Sequence, residues 1–208
     1  MRVLPIKQVQ GQCLMILKDH IDTDQIIPAR FLYKSRVDGF QQLLFHDFLA
    51  QLPDDERTSL RDIHAKDAPK VLLAGENFGC GSSREQAVWA LIDNGVKVVI
   101  AKSFGDIFYG NAINNGLVAI QLPHLLDSLT SEVVSFESLA VDLQTQQIKS
   151  QTGKVYPFQM DPFFKNMLIQ GANELDMTMQ LLDKIKAFEQ RHDIQFPWLQ
   201  HPSSRLKG

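Results

Sequence analysis

Between Leu72 and Gly95 the chain reads L-L-A-G-E-N-F-G-C-G-S-S-R-E-Q-A-V-W-A-L-I-D-N-G, and this stretch restricts the fold more than any other. The apolar run Val71 to Ala74 leads into a turn holding Gly75, Gly79 and Gly81, and then into the amphipathic run Glu85 to Asn94. That succession predicts a buried strand, a glycine-rich turn and a helix. Glycine has no Cβ, so it accepts positive φ and lets backbone approach a ligand closely. Ser82 and Glu85 stand in the S-x-x-E spacing of a capping box, which predicts Ser82 as N-cap. Asn94-Gly95 predicts a left-handed C-cap.

In that frame Arg84 becomes the second helical residue, a cation where the helix dipole is already positive. An anion bound there removes the conflict. Backbone N–H groups of Ser83 and Arg84, the dipole and the guanidinium then converge on one carboxylate or phosphate. The order G-x-G-S-S-R lacks the third glycine of the dinucleotide fingerprint, and there is no G-K-[ST] or G-x-S-x-G nearby. The residues alone therefore give an anion-binding turn with serines in it, and no reaction.

Around this turn the apolar pattern predicts strands at Gln12 to Lys18, Lys70 to Ala74, Val96 to Ala101 and Leu117 to Leu122. Helices are predicted at Gln41 to Leu52 and Phe104 to Asn115. Buried parallel strands read as near-continuous apolar runs, and such units place ligands at their carboxyl ends, which selects Gly75 to Arg84. After a short helix at Pro123 to Thr130, Val133 to Phe136, Ala140 to Leu143, Gln147 to Lys149 and Lys154 to Phe158 alternate like antiparallel strands. Asp161-Pro162 opens a helix that ends at Gln170-Gly171. Asn173 to Gln190 reads as one more helix, whose stripe Leu175, Met179, Leu182, Ile185 and Phe188 implies core or a contact between subunits. The expectation is one domain over residues 1–190 and a polar, frayed tail over 191–208.

A net charge of −3 argues against a nucleic-acid surface. No apolar run approaches the roughly 18 residues of a membrane helix, and Met1 to Lys7 lacks a secretory signature, so a cytoplasmic protein is expected. Of two cysteines, Cys13 reads as a buried hydrophobe and Cys80 as accessible in the turn. No Cys/His spacing suits zinc, and two thiols cannot hold an iron–sulfur cluster, so no cofactor or metal is assigned to this chain. Asp19, Asp22 and Asp24 do not match a calcium loop and read as an Asx-turn or N-cap.

The string Glu76 to Glu85, with Ala101 to Asn111 at helix distance and Asp22-Thr23-Asp24-Gln25-Ile26-Ile27-Pro28 upstream, resembles the small-subunit family of bacterial 3-isopropylmalate dehydratases. That family is similar to the mobile C-terminal domain of aconitase as a separate chain. The resemblance implies an α/β fold, a swivelling β/β/α domain with a compact mixed sheet flanked by helices. It implies a hydro-lyase that isomerises 2-isopropylmalate to 3-isopropylmalate via 2-isopropylmaleate in leucine biosynthesis. It also implies a large-subunit partner carrying a 4Fe–4S cluster. By family position Ser82 is the base, Arg84 clamps a substrate carboxylate, Ser83 donates a hydrogen bond, and Asp24 edges the cleft. The loop Ala29 to Phe40 borders the substrate's variable group; Arg30 or Arg36 there could take a third carboxylate, or be a solvated loop cation. A serine serving as cap acceptor is not free as a base, so either the cap is loose or Ser83 is the base. A related dehydratase acting on homocitrate or citraconate, and a non-enzymatic dicarboxylate-binding module, are the alternatives.

Overall fold

Gln8–Ile16 forms strand β1, and the other strands assemble on both sides of it. In chain order these are β2 (Lys70–Ala74), β3 (Val96–Ala101), β4 (Val118–Gln121), β5 (Ser138–Asp142), β6 (Gln147–Lys149) and β7 (Val155–Pro157). They make one seven-stranded sheet in the order β4-β3-β2-β1-β5-β6-β7. The structure, a computed structural model, describes residues 3–36, 40–54, 57, 60, 62–65, 68–133 and 137–199.

The two halves of the sheet follow from two kinds of sequence. β1 to β4 pair in parallel, and helices α3 (Glu85–Asp93) and α4 (Asp106–Asn114) make the crossovers from β2 to β3 and from β3 to β4. Every residue of β2 is buried, as the covered faces of a parallel sheet require. β5, β6 and β7 pair antiparallel; β6 and β7 each bury only their central residue, the alternation of a sheet with one wet face. The mixed sheet flanked by helices is the architecture the resemblance implied.

Earlier in the chain lie the short helices α1 (Thr23–Ile26) and α2 (His46–Gln51). The helix expected over Gln41 to Leu52 divides into a 3-10 turn, Gln41–Leu43, and α2, because Phe45 adopts φ 54, which no helix continues through. Val133 closes helix α5 (Leu126–Glu132) rather than opening a strand; residues 134–136 of that expected strand lie outside the described residues. Helix α6 (Pro162–Gln170) has the expected ends, with Asp161 accepting from the Phe163 N–H and Gly171 at φ 66.

By contacts the chain divides into two compact units, Met1–Asn173 and Glu174–Gly208, so residues 174–190 belong to the second unit. There the single helix expected over Asn173 to Gln190 is two, α7 (Glu174–Met179) and α8 (Leu182–Gln195). Of the apolar stripe, Leu175, Met179 and Phe188 are 67%, 53% and 59% exposed, so they are not core of this chain. Tail residues 200–208 lie outside the described residues.

A polar hub fastens α5 to the antiparallel half. The hydroxyls of Thr152, Ser150 and Tyr156 donate to the Glu132 carboxylate at 2.5, 2.7 and 2.7 Å, and Lys154 pairs with it at 3.1 Å. These bonds, Thr152 first, hold the Glu132 carboxyl down to about 2. A carboxylate depressed in the folded state stabilises fully above its ordinary value, and the contribution is lost as pH falls toward about 2. Urea midpoints followed from neutral pH down through that window should fall more steeply for the parent chain than for Glu132→Gln. Equal slopes would remove Glu132 from the acid transition.

Candidate active site

β1, β2 and β3 end level with one another, with Ile16 opposite Ala74 and Ala74 opposite Ala101. The loops that leave these ends therefore emerge side by side, and backbone bonds join them. From the first loop, His20 N–H donates to Glu76 O at 2.7 Å and Thr23 N–H to Cys80 O at 2.9 Å. In return Gly79 N–H donates to Ile21 O at 2.7 Å. On the other side Phe78 N–H donates to Ser103 O, and Gly105 N–H to Phe78 O, both at 3.0 Å. Beneath the turn Phe78, Phe104 and Phe108 pack ring on ring. Gly79 lies at φ 76, and a Cβ there would overlap the Phe108 ring. The glycine requirement at this position is thus conformational and steric together.

The capping box expected at Ser82 and Glu85 does not form. Helix α3 begins at Glu85 with Arg84 in the cap position, φ −69 and ψ 105, and no side chain caps it. Both halves of the box are engaged elsewhere. Ser82 Oγ lies 2.9 Å from Thr23 Oγ1, and Glu85 accepts from Asn115 Nδ2 at 2.7 Å. Ser82 is therefore not a cap acceptor; it and Ser83 are both exposed residues, and the Ser82 hydroxyl is turned to the buried Thr23. The capping box of this face sits one loop earlier, where Asp22 accepts from Gln25 N–H at 2.7 Å and Gln25 Oε1 from Asp22 N–H at 2.9 Å. Its D-x-x-Q spacing was available in the sequence.

Arg84 already has an anion beside it, and that anion is Asp24. Arg84 Nη2 donates to Asp24 Oδ2 at 2.8 Å, and Asp24 Oδ1 also accepts the Ala29 N–H at 2.8 Å. Arg84 Nη1 is buried and lies 2.5 Å from Asp24 Oδ1, so both Nη atoms of the guanidinium stand against the Asp24 carboxylate. The hydrogen bond from Arg84 holds the Asp24 carboxyl below its ordinary range. Asp24 and Arg84 are thus brought together with Ser82 and Ser83 on one face.

Arg36 is not. It donates at 2.9 Å to Asp93, at the far end of α3 and roughly 13 Å of helix rise from Arg84, and lies over the Trp89 ring in mid-helix. There it borders a cavity of about 400 Å³ at the amino ends of the strands, with Val3, Leu4, Ile6, Val96 and Gly116. Arg30 is held by both oxygens of Asp47 at 2.5 Å and lies over the Phe31 ring. It lines a cleft of about 370 Å³ with Asp24, Gln25, Ala29 and Asp47, next to the Arg84 pair. Residues 37–39 of this loop lie outside the described residues. Lys102 pairs with Asp127 at 2.9 Å.

Burial and the Asp22 carboxylate keep the Cys80 thiol above its ordinary value, and burial pushes Cys13 up to about 12. Neither is a ready thiolate at neutral pH. Among the described residues no three His, Cys, Asp or Glu side chains are grouped to hold a metal ion, and no helix is long and apolar enough to cross a membrane.

The mixed sheet and its glycine turn fall in a domain of the aconitase C-terminal class. The model of the aconitase C-terminal domain family matches residues 4–125, and that of the C-terminal domain of the 3-isopropylmalate dehydratase small subunit matches residues 176–201. The chain belongs to the family of 3-isopropylmalate dehydratase small subunits. It is 40% identical over 190 residues to the small subunit from Listeria monocytogenes, covering 90% of this chain and 97% of that one. It is 38% identical over 203 residues to that of Bacillus subtilis, covering 94% and 98%. The crystal structure of the 3-isopropylmalate dehydratase of Methanocaldococcus jannaschii superposes with a TM-score of 0.62 at 30% identity, over 86% of this chain and 99% of that one.

Proposed function

We propose that this chain is the small subunit of a heteromeric hydro-lyase that isomerises 2-isopropylmalate to 3-isopropylmalate via 2-isopropylmaleate. In this reading Ser82 is the base, Arg84 clamps a substrate carboxylate, and Ser83 donates to the substrate. The observation that carries it is the meeting, at one helix start, of an exposed Ser82 that caps no helix with the Asp24-held guanidinium of Arg84. A serine hydroxyl titrates far above neutrality, so it acts only as an alkoxide stabilised by neighbouring donors and positive charge. The alkoxide takes the proton from the carbon next to the one that bears the leaving hydroxyl, and at hydration Ser82 delivers a proton to the carbon that had borne the hydroxyl while the hydroxyl adds to its neighbour. Asp24 holds the Arg84 guanidinium beside the serine turn, where an incoming carboxylate would share it with Asp24 or displace Asp24 from it.

Two thiols, one in the sheet and one in the turn, do not fit an iron–sulfur cluster. In this reading the 4Fe–4S cluster belongs to the large subunit, where it would supply a Lewis acid for the departing hydroxyl. The choice of isopropylmalate over a tricarboxylic acid is supported by the 3-isopropylmalate dehydratase small subunits to which the chain is 38–40% identical. In the loop at Ala29 to Phe40, Arg36 is turned away to Asp93, while Arg30, held by both oxygens of Asp47, lines the cleft beside Asp24. Anaerobic co-purification with a cluster-bearing large subunit, then hydration assays on 2-isopropylmaleate and citraconate, tests the reading. Activity should appear only in the mixture and be strongest with isopropylmaleate. A complex that prefers citraconate would overturn the substrate assignment, and failure to bind any such partner the enzymatic one.

A further inference from the structure

Thr23, the first residue of α1, stands 59 residues before Ser82 and is 2% exposed. Its Oγ1 accepts the Ser82 backbone N–H at 3.2 Å and stands 2.9 Å from Ser82 Oγ. The distance alone does not say which hydroxyl donates, but burial does. Each hydroxyl has one hydrogen. Were Ser82 the donor, the Thr23 hydrogen would have no acceptor among the described residues and no access to water, the arrangement that buried donors avoid. Ser82 is exposed and can turn its own hydrogen to solvent or substrate.

We infer that Thr23 donates to Ser82 Oγ and is a positioning residue that aims the serine oxygen and stabilises its alkoxide; the inference rests on the reading of Ser82 as base. An alkoxide only accepts hydrogen bonds. The bond present in the resting chain is therefore the one required after the proton leaves, and no group has to rotate during the reaction. The donor is rigid as well as correctly directed. A β-branched side chain is stiff at χ1, and Thr23 is tied at both ends of its peptide, N–H to Cys80 O at 2.9 Å and C=O from Ile27 N–H at 3.0 Å. The Ser82 N–H holds the threonine oxygen from the other side, so turn and loop fix one another.

The test is steady-state kinetics of the assembled two-subunit enzyme with Thr23→Val, Thr23→Ser and Thr23→Cys, beside Ser82→Ala. Valine keeps the shape and removes the donor. It should lower kcat about 10²- to 10³-fold, as loss of one oxyanion donor does, with KM changed by less than roughly threefold. Removing a bond to the ionised form raises its pKa, so the acid limb of the kcat profile should move upward by about one pH unit or more. Serine, which keeps the hydroxyl, should retain kcat within about tenfold and leave the limb in place. Should valine fail to assemble, cysteine keeps the volume with only a weak S–H donor and should move the limb in the same direction. Near-parental kcat with an unmoved limb in valine or cysteine, or equal losses in valine and serine, would overturn the role of Thr23. An active Ser82→Ala would instead overturn the base assignment, and this inference with it.

Discussion

Ser82→Ala should lower turnover of the assembled enzyme by roughly 10³-fold, within the range that a positioned base contributes, while the subunit still folds and binds its partner. The fold is spared because Ser82 does not cap α3, so no helix end depends on it. What is lost structurally is the acceptor of the buried Thr23 hydroxyl, worth about 1 kcal/mol, or about 2–4 °C in the thermal midpoint of a chain this size. The companion variant Ser83→Ala should keep turnover within about tenfold, since a single hydrogen bond to substrate is at stake. Measured kcat for the two variants, with far-UV circular dichroism as the control for folding, separates the roles. A dead Ser83→Ala beside a live Ser82→Ala would exchange them.

Arg84→Lys should cost about 10²- to 10³-fold in kcat/KM, equivalent to about 3–4 kcal/mol of transition-state binding. Lysine keeps the charge but is a point donor, and it cannot hold Asp24 with one nitrogen while offering another to a carboxylate. Most of the loss should lie in KM if the clamp acts equally on bound substrate and transition state. Asp24→Asn should be milder, since it leaves the guanidinium in place and weakens only the bond that orients it. Equal KM values for Arg84→Lys and the parent enzyme would rule out carboxylate binding by Arg84.

The parallel half of the sheet was legible because its strands are nearly unbroken apolar runs between glycine turns, and Val96 to Ala101 needs no further information to be read as buried. Asn94-Gly95 and Asp161-Pro162 were legible for the same reason, being local codes that nothing distant contests. Ser82-x-x-Glu85 is an equally local code, yet it failed, because Thr23 and Asn115 offer these side chains partners 59 and 30 residues away. Arg30 and Arg36 looked alike in the sequence, and their separate fates were set by Asp47 and Asp93, at separations of 17 and 57 residues. Phe45 at φ 54 carries no sequence signal at all. Thr23 stood inside a motif read as a turn; its hydroxyl became visible only when the first loop was placed against the glycine turn.

Strand β1 is made first on the ribosome and lies in the middle of the finished sheet, with Gln8 opposite Asp142 on one side and Ile16 opposite Ala74 on the other. Its antiparallel neighbour emerges last among its partners. Until the chain reaches residue 142 the nascent sheet has an unpaired edge along β1, a surface that invites pairing with other chains. Translation pauses or truncations before that point should yield material that aggregates, although Thr23, Asp24, Ser82, Ser83 and Arg84 have all been synthesised by then.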